Sequence, residues 1–175
     1  DFIHNEIFQP LGMRDSHIHL SNHLYNLLGE RLGYVYDTTT EPPELTSLHS
    51  EESCQLSSPG SSGRGPIREL GRFYETLLNQ QGAPTLLWPQ TVEAMTTRHR
   101  CGLKDHTFQH VLDWGLGFQV DSNVYGPETV PYSFGRHSSP RTFGHGGRQC
   151  CSAYADPEHG LVVGVVLNGM PGEKR

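Results

Sequence analysis

The stretch that decides the fold is Phe143-Gly144-His145-Gly146-Gly147-Arg148, in which three glycines surround a single histidine. Glycine has no Cβ atom, so this backbone can turn tightly and approach another group closely. Residues 149–156 then read as a strand, and Asp156-Pro157-Glu158-His159-Gly160 has the residues of a turn. The next run, LVVGVVL at 161–167, is apolar and rich in β-branched residues. The sequence therefore predicts an antiparallel hairpin with strands at 149–156 and 161–167.

Residues 143–172, FGHGGRQCCSAYADPEHGLVVGVVLNGMPG, resemble the third active-site motif of the serine β-lactamase and penicillin-binding-protein-like hydrolases. The similarity is greatest to the class C-like esterases and D,D-peptidase relatives. In that superfamily a strand opens with Lys-Thr-Gly, or with His-x-Gly in many esterase-like members. His145-Gly146-Gly147 occupies those three positions here, and Arg148 is the next residue. The alternative for so short a motif is a glycine-rich start of a strand with a solvent-facing histidine.

Three further segments resemble the same superfamily and occur in the family's order. They are FQPLGMRDS at 8–16, SPGSSGRGPIRELGRFYETLLNQQG at 58–82, and the strand-like DWGLGFQV at 113–120. Within the second segment Pro66 suits the first position of a helix, and apolar residues recur on one face from Ile67 onward. A second helix is predicted to begin after Pro89. The expected fold class is α+β, part of a β-lactamase/transpeptidase-like fold. Its antiparallel sheet has strands near 115–120, 149–156 and 161–167, packed against helices 67–81 and 90–97.

The first third of the chain predicts less regular structure. Ile3 lies at the start of a helical pattern that Pro10 ends. Ser21 suits the N-cap of a helix over 21–32, with Leu24, Leu27 and Leu28 turned inward. A brief strand is predicted at 34–36. Residues 37–58 are rich in Thr, Ser, Pro and Glu and predict a surface excursion outside the core.

The resemblance implies hydrolysis of an ester or amide bond through an acyl-serine intermediate. It makes His145, Gly146, Gly147 and Arg148 the candidate active-site residues, with His145 shaping the electrostatics of the substrate pocket. The backbone N–H of Arg148 is the expected oxyanion donor. The family's Ser-x-x-Lys and Tyr-x-Asn motifs do not occur in these 175 residues. We therefore expect residues 1–175 to be a single partial domain, the C-terminal portion of a serine hydrolase, and to be inactive alone.

The substrate implied is a small-molecule ester, β-lactam or D-Ala-D-Ala peptide, and histidine in place of lysine leans toward esters. A non-catalytic interaction module of the same fold would also lack the nucleophile motif, so it stays open as an alternative. A cofactor is not expected. The oligomeric state and the compartment are left undetermined.

Composition excludes several other classes. A net charge of −6 without a Lys/Arg cluster argues against nucleic-acid binding, and no apolar run approaches the length of a membrane span. The glycine-rich residues 57–65 lack the Gly-Lys-Ser/Thr ending of a nucleotide-binding P-loop. His17, His19 and His23 are the tightest histidine group; their surroundings look like loop, so a His-based metal-binding domain is kept only as a third, less favoured alternative. The four cysteines, expected to be small apolar fillers, are Cys54, Cys101, Cys150 and Cys151.

Overall fold

The computed structural model describes residues 2–79, 86–126, 134–148 and 150–172. Its α-helices are α1 (Asn22–Leu28), α2 (Glu51–Gln55), α3 (Ile67–Leu78) and α4 (Pro89–Thr96), preceded by a π-helix at His4–Phe8. Short 3₁₀-helices lie at Gly29–Arg31, Ser47–His49 and Asn123–Tyr125. Its strands are β1 (Tyr36–Asp37), β2 (Glu44–Leu45), β3 (Asp113–Trp114), β4 (Gln119–Val120), β5 (Phe143–Gly147), β6 (Cys151–Asp156), β7 (Leu161–Val166) and β8 (Gly169–Met170). The α+β class expected from the sequence is confirmed.

The chain divides into two compact units. The first comprises Asp1–Leu70, Gly147–Cys151 and Val165–Arg175, and the second comprises Gly71–Gly146 and Ser152–Gly164. Each unit has its own sheet contacts and buried residues. Among the described residues, no helix has the length and apolar character that crossing a membrane requires.

The second unit contains most of a five-stranded sheet with the order β3-β4-β5-β6-β7. The pairs β3–β4 and β4–β5 are antiparallel, with Gln119 opposite Gly144 and Val120 opposite Phe143. Helices α3 and α4 cover this sheet through an apolar core. That core consists of Tyr74, Leu77, Val92, Phe118, Phe143, Ala153 and Ala155. Burial of these side chains is the main stabilising term of the unit, since each large apolar side chain removed from water contributes about 2 kcal/mol.

The two helices predicted from the sequence are confirmed with small shifts at their ends. Helix α3 begins at Ile67, directly after Pro66, and ends at Leu78, and Asn79 is already outside it. Residues 80 and 81, where the prediction ended, lie outside the described residues. Helix α4 has Pro89 at its first position and ends at Thr96 rather than 97. Proline suits that first position because its missing N–H is not needed there.

The prediction of one strand over 115–120 is wrong. Residues 113–120 form two short strands, β3 and β4. The turn between them is closed by the Gly115 N–H, which donates to the Phe118 carbonyl at 2.9 Å. Gly117 has φ +85°, a conformation that favours glycine, and a Cβ on Gly115 would lie 2.1 Å from the Met95 carbonyl oxygen. The two glycines therefore mark a tight turn inside an apolar run.

The position of the FGHGG stretch also differs from the expectation. It is not followed directly by a strand but is itself strand β5, and the Cys150 N–H donates to the Gly147 carbonyl at 3.2 Å to close a turn. The next strand, β6, begins at Cys151, so Cys150 is in the turn and Gln149 lies outside the described residues. The partner strand β7 ends at Val166, one residue before the predicted end. The predicted hairpin is thus present, with a shorter first strand.

The first unit contains a three-stranded sheet in which β1 pairs antiparallel with β2 and parallel with β8. The strand predicted at 34–36 is shifted to Tyr36–Asp37. Ser21 caps α1 as expected, accepting from the Leu24 N–H at 3.3 Å. The α-helix ends at Leu28 and continues as a 3₁₀-helix over Gly29–Arg31, while Leu27 is 68% exposed rather than turned inward.

Residues 37–58 are more than a surface excursion. They contribute β2 and α2, and Cys54 on α2 is completely buried. The Leu20 N–H donates to the Cys54 carbonyl at 2.9 Å, and the Arg64 guanidinium donates to the Leu48 carbonyl at 2.9 Å. These contacts join segments distant in sequence, which explains why composition alone predicted an exposed loop. Among the other cysteines Cys101 is exposed, so it does not fill the interior.

Candidate active site

His145 lies in the middle of strand β5, and its side chain is exposed. Its Nδ1 is 2.5 Å from the carbonyl oxygen of Gly146. A hydrogen bond at this distance requires the proton on Nδ1, because the carbonyl can only accept. In the neutral ring this leaves Nε2 as an acceptor. The imidazole can therefore accept or relay a proton from a group placed over the strand.

An indole ring contacts this imidazole. The ring centroids of Trp114 and His145 are 5.6 Å apart, with the planes tilted by 55°. The guanidinium carbon of Arg100 lies 5.6 Å from the centroid of the same indole, and this guanidinium is paired with Asp105. The sequence pattern did not point to Trp114 or Arg100 as neighbours of His145, because they lie far from it along the chain.

Glycine at position 144 is required by the close packing of neighbouring strands. A Cβ atom there would lie 2.3 Å from the Ala153 carbonyl oxygen and 2.5 Å from the Tyr154 Cβ. Gly144 therefore has a structural role, because the neighbouring strand leaves no room for a side chain at this position. Gly146 and Gly147 are half-buried, and Arg148 is exposed in the turn that follows β5. The division between the two units falls between Gly146 and Gly147.

Gly147 has a different close neighbour, the thiol of Cys151. A Cβ on Gly147 would lie 2.4 Å from the Cys151 Sγ, which is a side-chain atom rather than backbone. Burial raises the pKa of this half-buried thiol, and the neighbouring Cys150 raises it further. Cys151 is therefore protonated at neutral pH and packs against the backbone of Gly147.

We expect Gly147→Ala to destabilise the chain by about 1–2 kcal/mol, because the added methyl group must displace the Cys151 sulfur. Adding Cys151→Ala should recover part of this loss, with a coupling energy of at least about 0.5 kcal/mol in a double-mutant cycle by urea unfolding. Gly60→Ala is the matched control, since its Cβ would meet nothing within 4 Å. Strict additivity of the two substitutions would contradict the contact.

A buried carboxylate, Asp156, holds the segment that leads into β5. It accepts hydrogen bonds from the Ser139 N–H at 2.8 Å, the Ser139 hydroxyl at 2.7 Å and the His159 Nδ1 at 2.8 Å. Burial of Asp156 raises its pKa, but hydrogen bonds from Ser139, His159 and Thr142 outweigh this, so the pKa lies well below its ordinary value. The sequence predicted Asp156 only as the first residue of a turn, because an Asp-Pro pair is typical of turns.

A second network fixes β3 and the segment before β5. The Arg98 guanidinium donates to the Asp113 carboxylate at 2.9 Å, to the Asp121 carbonyl at 2.8 Å and to the Pro140 carbonyl at 2.5 Å. Asp113 also accepts from the Tyr125 hydroxyl at 2.9 Å. The sequence did not reveal this network, because its members are far apart along the chain, from Arg98 to Pro140, and two of its acceptors are backbone carbonyls. It places β3, and with it Trp114, at a defined position in the second unit.

In the first unit, two of the segments that resemble the superfamily contact each other. Glu69 on α3 accepts from the Ser16 hydroxyl at 2.7 Å and from the Asp15 N–H at 3.1 Å. His17 and Arg64 exchange backbone hydrogen bonds of 2.8 Å in both directions. The PLGM segment and the glycine-rich segment before α3 are therefore held together by a buried carboxylate and a bridge.

The histidine group of the first unit shows other contacts. The Nδ1 of His19 lies 2.7 Å from the Gln55 carbonyl oxygen, and burial lowers the pKa of His17. Within the described ranges, no group of three or more His, Cys, Asp or Glu residues has the geometry to hold a metal ion. In the glycine-rich loop, the Arg64 side chain donates to the Ser62 and Leu48 carbonyls at 2.9 Å each.

A family model described as Beta-lactamase matches residues 1–175. No curated protein is similar enough to this chain to count as a match. Several solved structures share its fold at low sequence identity. A penicillin-binding protein homologue from Caulobacter crescentus is 21% identical with a TM-score of 0.70, over 97% of this chain and 46% of its own. A family VIII carboxylesterase is 21% identical with a TM-score of 0.71, over 96% of this chain and 45% of its own.

Simvastatin synthase from Aspergillus terreus is 17% identical with a TM-score of 0.72, over 97% of this chain and 45% of its own. At such identities the likeness establishes the fold. The chain spans less than half the length of each of these three structures. The family model, in contrast, spans the whole chain, and the resemblance noted in the motifs is confirmed. The chain belongs to the Beta-lactamase family.

Proposed function

We propose that this chain is the C-terminal part of a serine hydrolase that cleaves an ester or amide bond through an acyl-serine intermediate. The observation that carries the proposal is the exposed imidazole of His145 on β5, in the stretch whose sequence resembles the family's third motif. Arg148, the proposed backbone donor, follows directly in the turn after β5 rather than on the strand itself. The nucleophilic serine and its lysine are supplied by residues outside these 175.

The proposed division of labour follows from the chemistry of acyl transfer. Attack of the serine on the substrate carbonyl places negative charge on the carbonyl oxygen, and a positioned backbone N–H stabilises that charge. The Arg148 N–H is assigned this role. The Nε2 of His145 orients the substrate or relays the proton, since Nδ1 already faces the Gly146 carbonyl. The motif's glycines let the substrate approach the backbone of β5 closely.

The proposed substrate class is a small-molecule ester, with β-lactams and D-Ala-D-Ala peptides as the competing classes. The solved structures with this fold include a carboxylesterase, a penicillin-binding protein homologue and simvastatin synthase, so the fold alone does not choose among the three. Histidine where many relatives have lysine favours an ester, because His-x-Gly in this position resembles the esterase-like members of the superfamily. Neither a cofactor nor a nucleic-acid partner is part of the proposal.

We expect the 175-residue chain alone to hydrolyse neither p-nitrophenyl acetate nor nitrocefin above the rate of heat-treated protein. The oxyanion donor would act without a nucleophile and without a general base, so acyl transfer has no covalent path. The complete protein, expressed from the full coding sequence, should hydrolyse at least one of the two and react with a fluorophosphonate probe. The ratio of the two rates separates an ester preference from a β-lactam preference.

The position of the labelled serine decides between the possible readings. A fluorophosphonate adduct on a serine followed three residues later by lysine, outside residues 1–175, supports the proposal. An adduct on a serine within the chain would contradict the assignment of the nucleophile. A complete protein that is folded but takes no label and has no turnover would instead be a non-catalytic interaction module.

A further inference from the structure

We propose that Trp114 is a positioning residue for His145, holding the imidazole in one orientation through ring contact. The inference rests on the proposed function, because it assigns Trp114 a part in the same reaction. Trp114 does not itself touch the substrate in this account. Its effect is exerted through the angle and the mobility of the His145 ring.

The contact between the two rings is direct. The centroid separation of 5.6 Å and the 55° tilt fall within the range in which aromatic rings attract each other. His145 is exposed, and among the described residues its imidazole also makes the hydrogen bond to the neighbouring Gly146 carbonyl. An exposed side chain samples several rotamers, and contact with a large flat ring removes those that would overlap it. Trp114 therefore limits the orientations that His145 can adopt.

The indole is in turn held by residues around it. The backbone N–H of Trp114 donates to the Arg100 carbonyl at 2.9 Å, and the Trp114 carbonyl accepts from the Arg100 N–H at 3.1 Å. The Arg100 guanidinium lies 5.6 Å from the indole centroid, and the Phe108 ring lies 5.9 Å from it. A cation or a second ring at these distances stabilises one orientation of the indole.

The residue that holds Arg100 in place is Asp105. The two side chains form an ion pair, and the Asp105 carboxylate also accepts from the Thr107 N–H at 2.9 Å and the Phe108 N–H at 3.1 Å. The hydrogen bond from Arg100 lowers the pKa of Asp105 to about 2, so the pair stays charged at any pH at which the enzyme would act. Asp105, Arg100 and Trp114 thus form a connected support that ends at the His145 ring.

The test compares Trp114→Leu, Trp114→Phe and the control Trp88→Leu in the complete protein. Trp88 is the chain's other tryptophan and is 77% exposed. We expect Trp114→Leu to lower kcat about tenfold with KM within about twofold, since misplacing a reacting group affects the chemical step most. Trp114→Phe should retain kcat within about threefold, and Trp88→Leu should leave it unchanged.

A second readout follows the His145 ring itself. In NMR spectra the His145 ring protons should lose their ring-current shift in Trp114→Leu, keep part of it in Trp114→Phe and be unchanged in Trp88→Leu. A role of Trp114 in folding alone would lower the melting temperature and leave kcat of the folded protein unchanged. If Trp114→Leu does not fold, Trp114→Phe decides: its smaller ring must change the His145 shifts and lower kcat two- to threefold.

Two outcomes would overturn different claims. Suppose that His145→Ala loses activity, while Trp114→Leu has full kcat or leaves the His145 shifts unchanged. The positioning role is then wrong and the proposed function stands. If His145→Ala keeps full activity, the proposed function fails, whatever Trp114→Leu does.

Discussion

Replacing His145 by alanine in the complete protein is expected to lower kcat/KM of the proposed hydrolysis by about ten- to a thousandfold. The imidazole is exposed on β5, and its Nε2 is available once Nδ1 donates to the Gly146 carbonyl. Alanine removes the only group of that side chain able to orient a substrate carbonyl or relay a proton. Stability should change by less than about 0.5 kcal/mol, because an exposed side chain contributes little packing. Steady-state kinetics and urea unfolding measure the two effects separately.

The control for this substitution is His23→Ala. His23 is also exposed and is carried by helix α1, in the other unit of the chain. His159 would be a poor control, because its ring donates to Asp156 at 2.8 Å and its removal weakens a buried network. Equal kcat/KM values for His145→Ala and His23→Ala would contradict the assignment of His145-Gly146-Gly147 to the active site.

Replacing Asp156 by alanine is expected to destabilise the chain by about 3 kcal/mol. The carboxylate is 2% exposed and accepts from the backbone N–H and the hydroxyl of Ser139. Alanine leaves these donors without their acceptor in a place that water does not reach easily, and each unsatisfied buried group costs about 1–3 kcal/mol. Asp156→Asn should cost less, since its carbonyl oxygen can still accept one of the bonds. Urea unfolding near neutral pH is the measurement.

The same carboxylate makes stability depend on pH in a defined direction. Its pKa is lowered in the fold, so its contribution is fully present above the unfolded pKa of about 3.9. As pH falls below about 4, the unfolded state takes up the proton first and the contribution declines. Asp156→Asn should therefore flatten the loss of stability between about pH 5 and pH 3. His159→Ala, which removes one partly exposed donor, should cost less than about 1 kcal/mol. An Asp156→Ala variant as stable as His159→Ala would contradict this account.

Several elements could be predicted because their signals are local. Helix α3 follows from the apolar face that begins at Ile67 and from Pro66 before it. The β6–β7 hairpin follows from two apolar runs around Asp156-Pro157-Glu158-His159-Gly160. The prediction at 113–120 failed because apolar content outweighed the two glycines, and the turn they form depends on a close approach to the Met95 carbonyl. A contact of that kind cannot be read from the segment itself.

The candidate site was predictable to a similar degree. His145 was identified from its motif, and the structure shows it exposed on a strand, but its role in catalysis stays a prediction. Trp114 was outside the predicted site, since aromatic residues in a strand-like run are most often core. Asp156 was identified as a turn residue but not as the acceptor that holds Ser139.

The sequence by itself determined family membership, the α+β class and the candidate histidine, because ordered motifs and short-range periodicity carry that information within a few residues each. Only the tertiary structure decided that the HGG stretch is part of β5, that Cys54 is buried within a polar segment and that Trp114 contacts His145. These features depend on pairs of residues far apart in the chain. Their contacts form when the chain folds back on itself and buries apolar surface, so no local pattern specifies them.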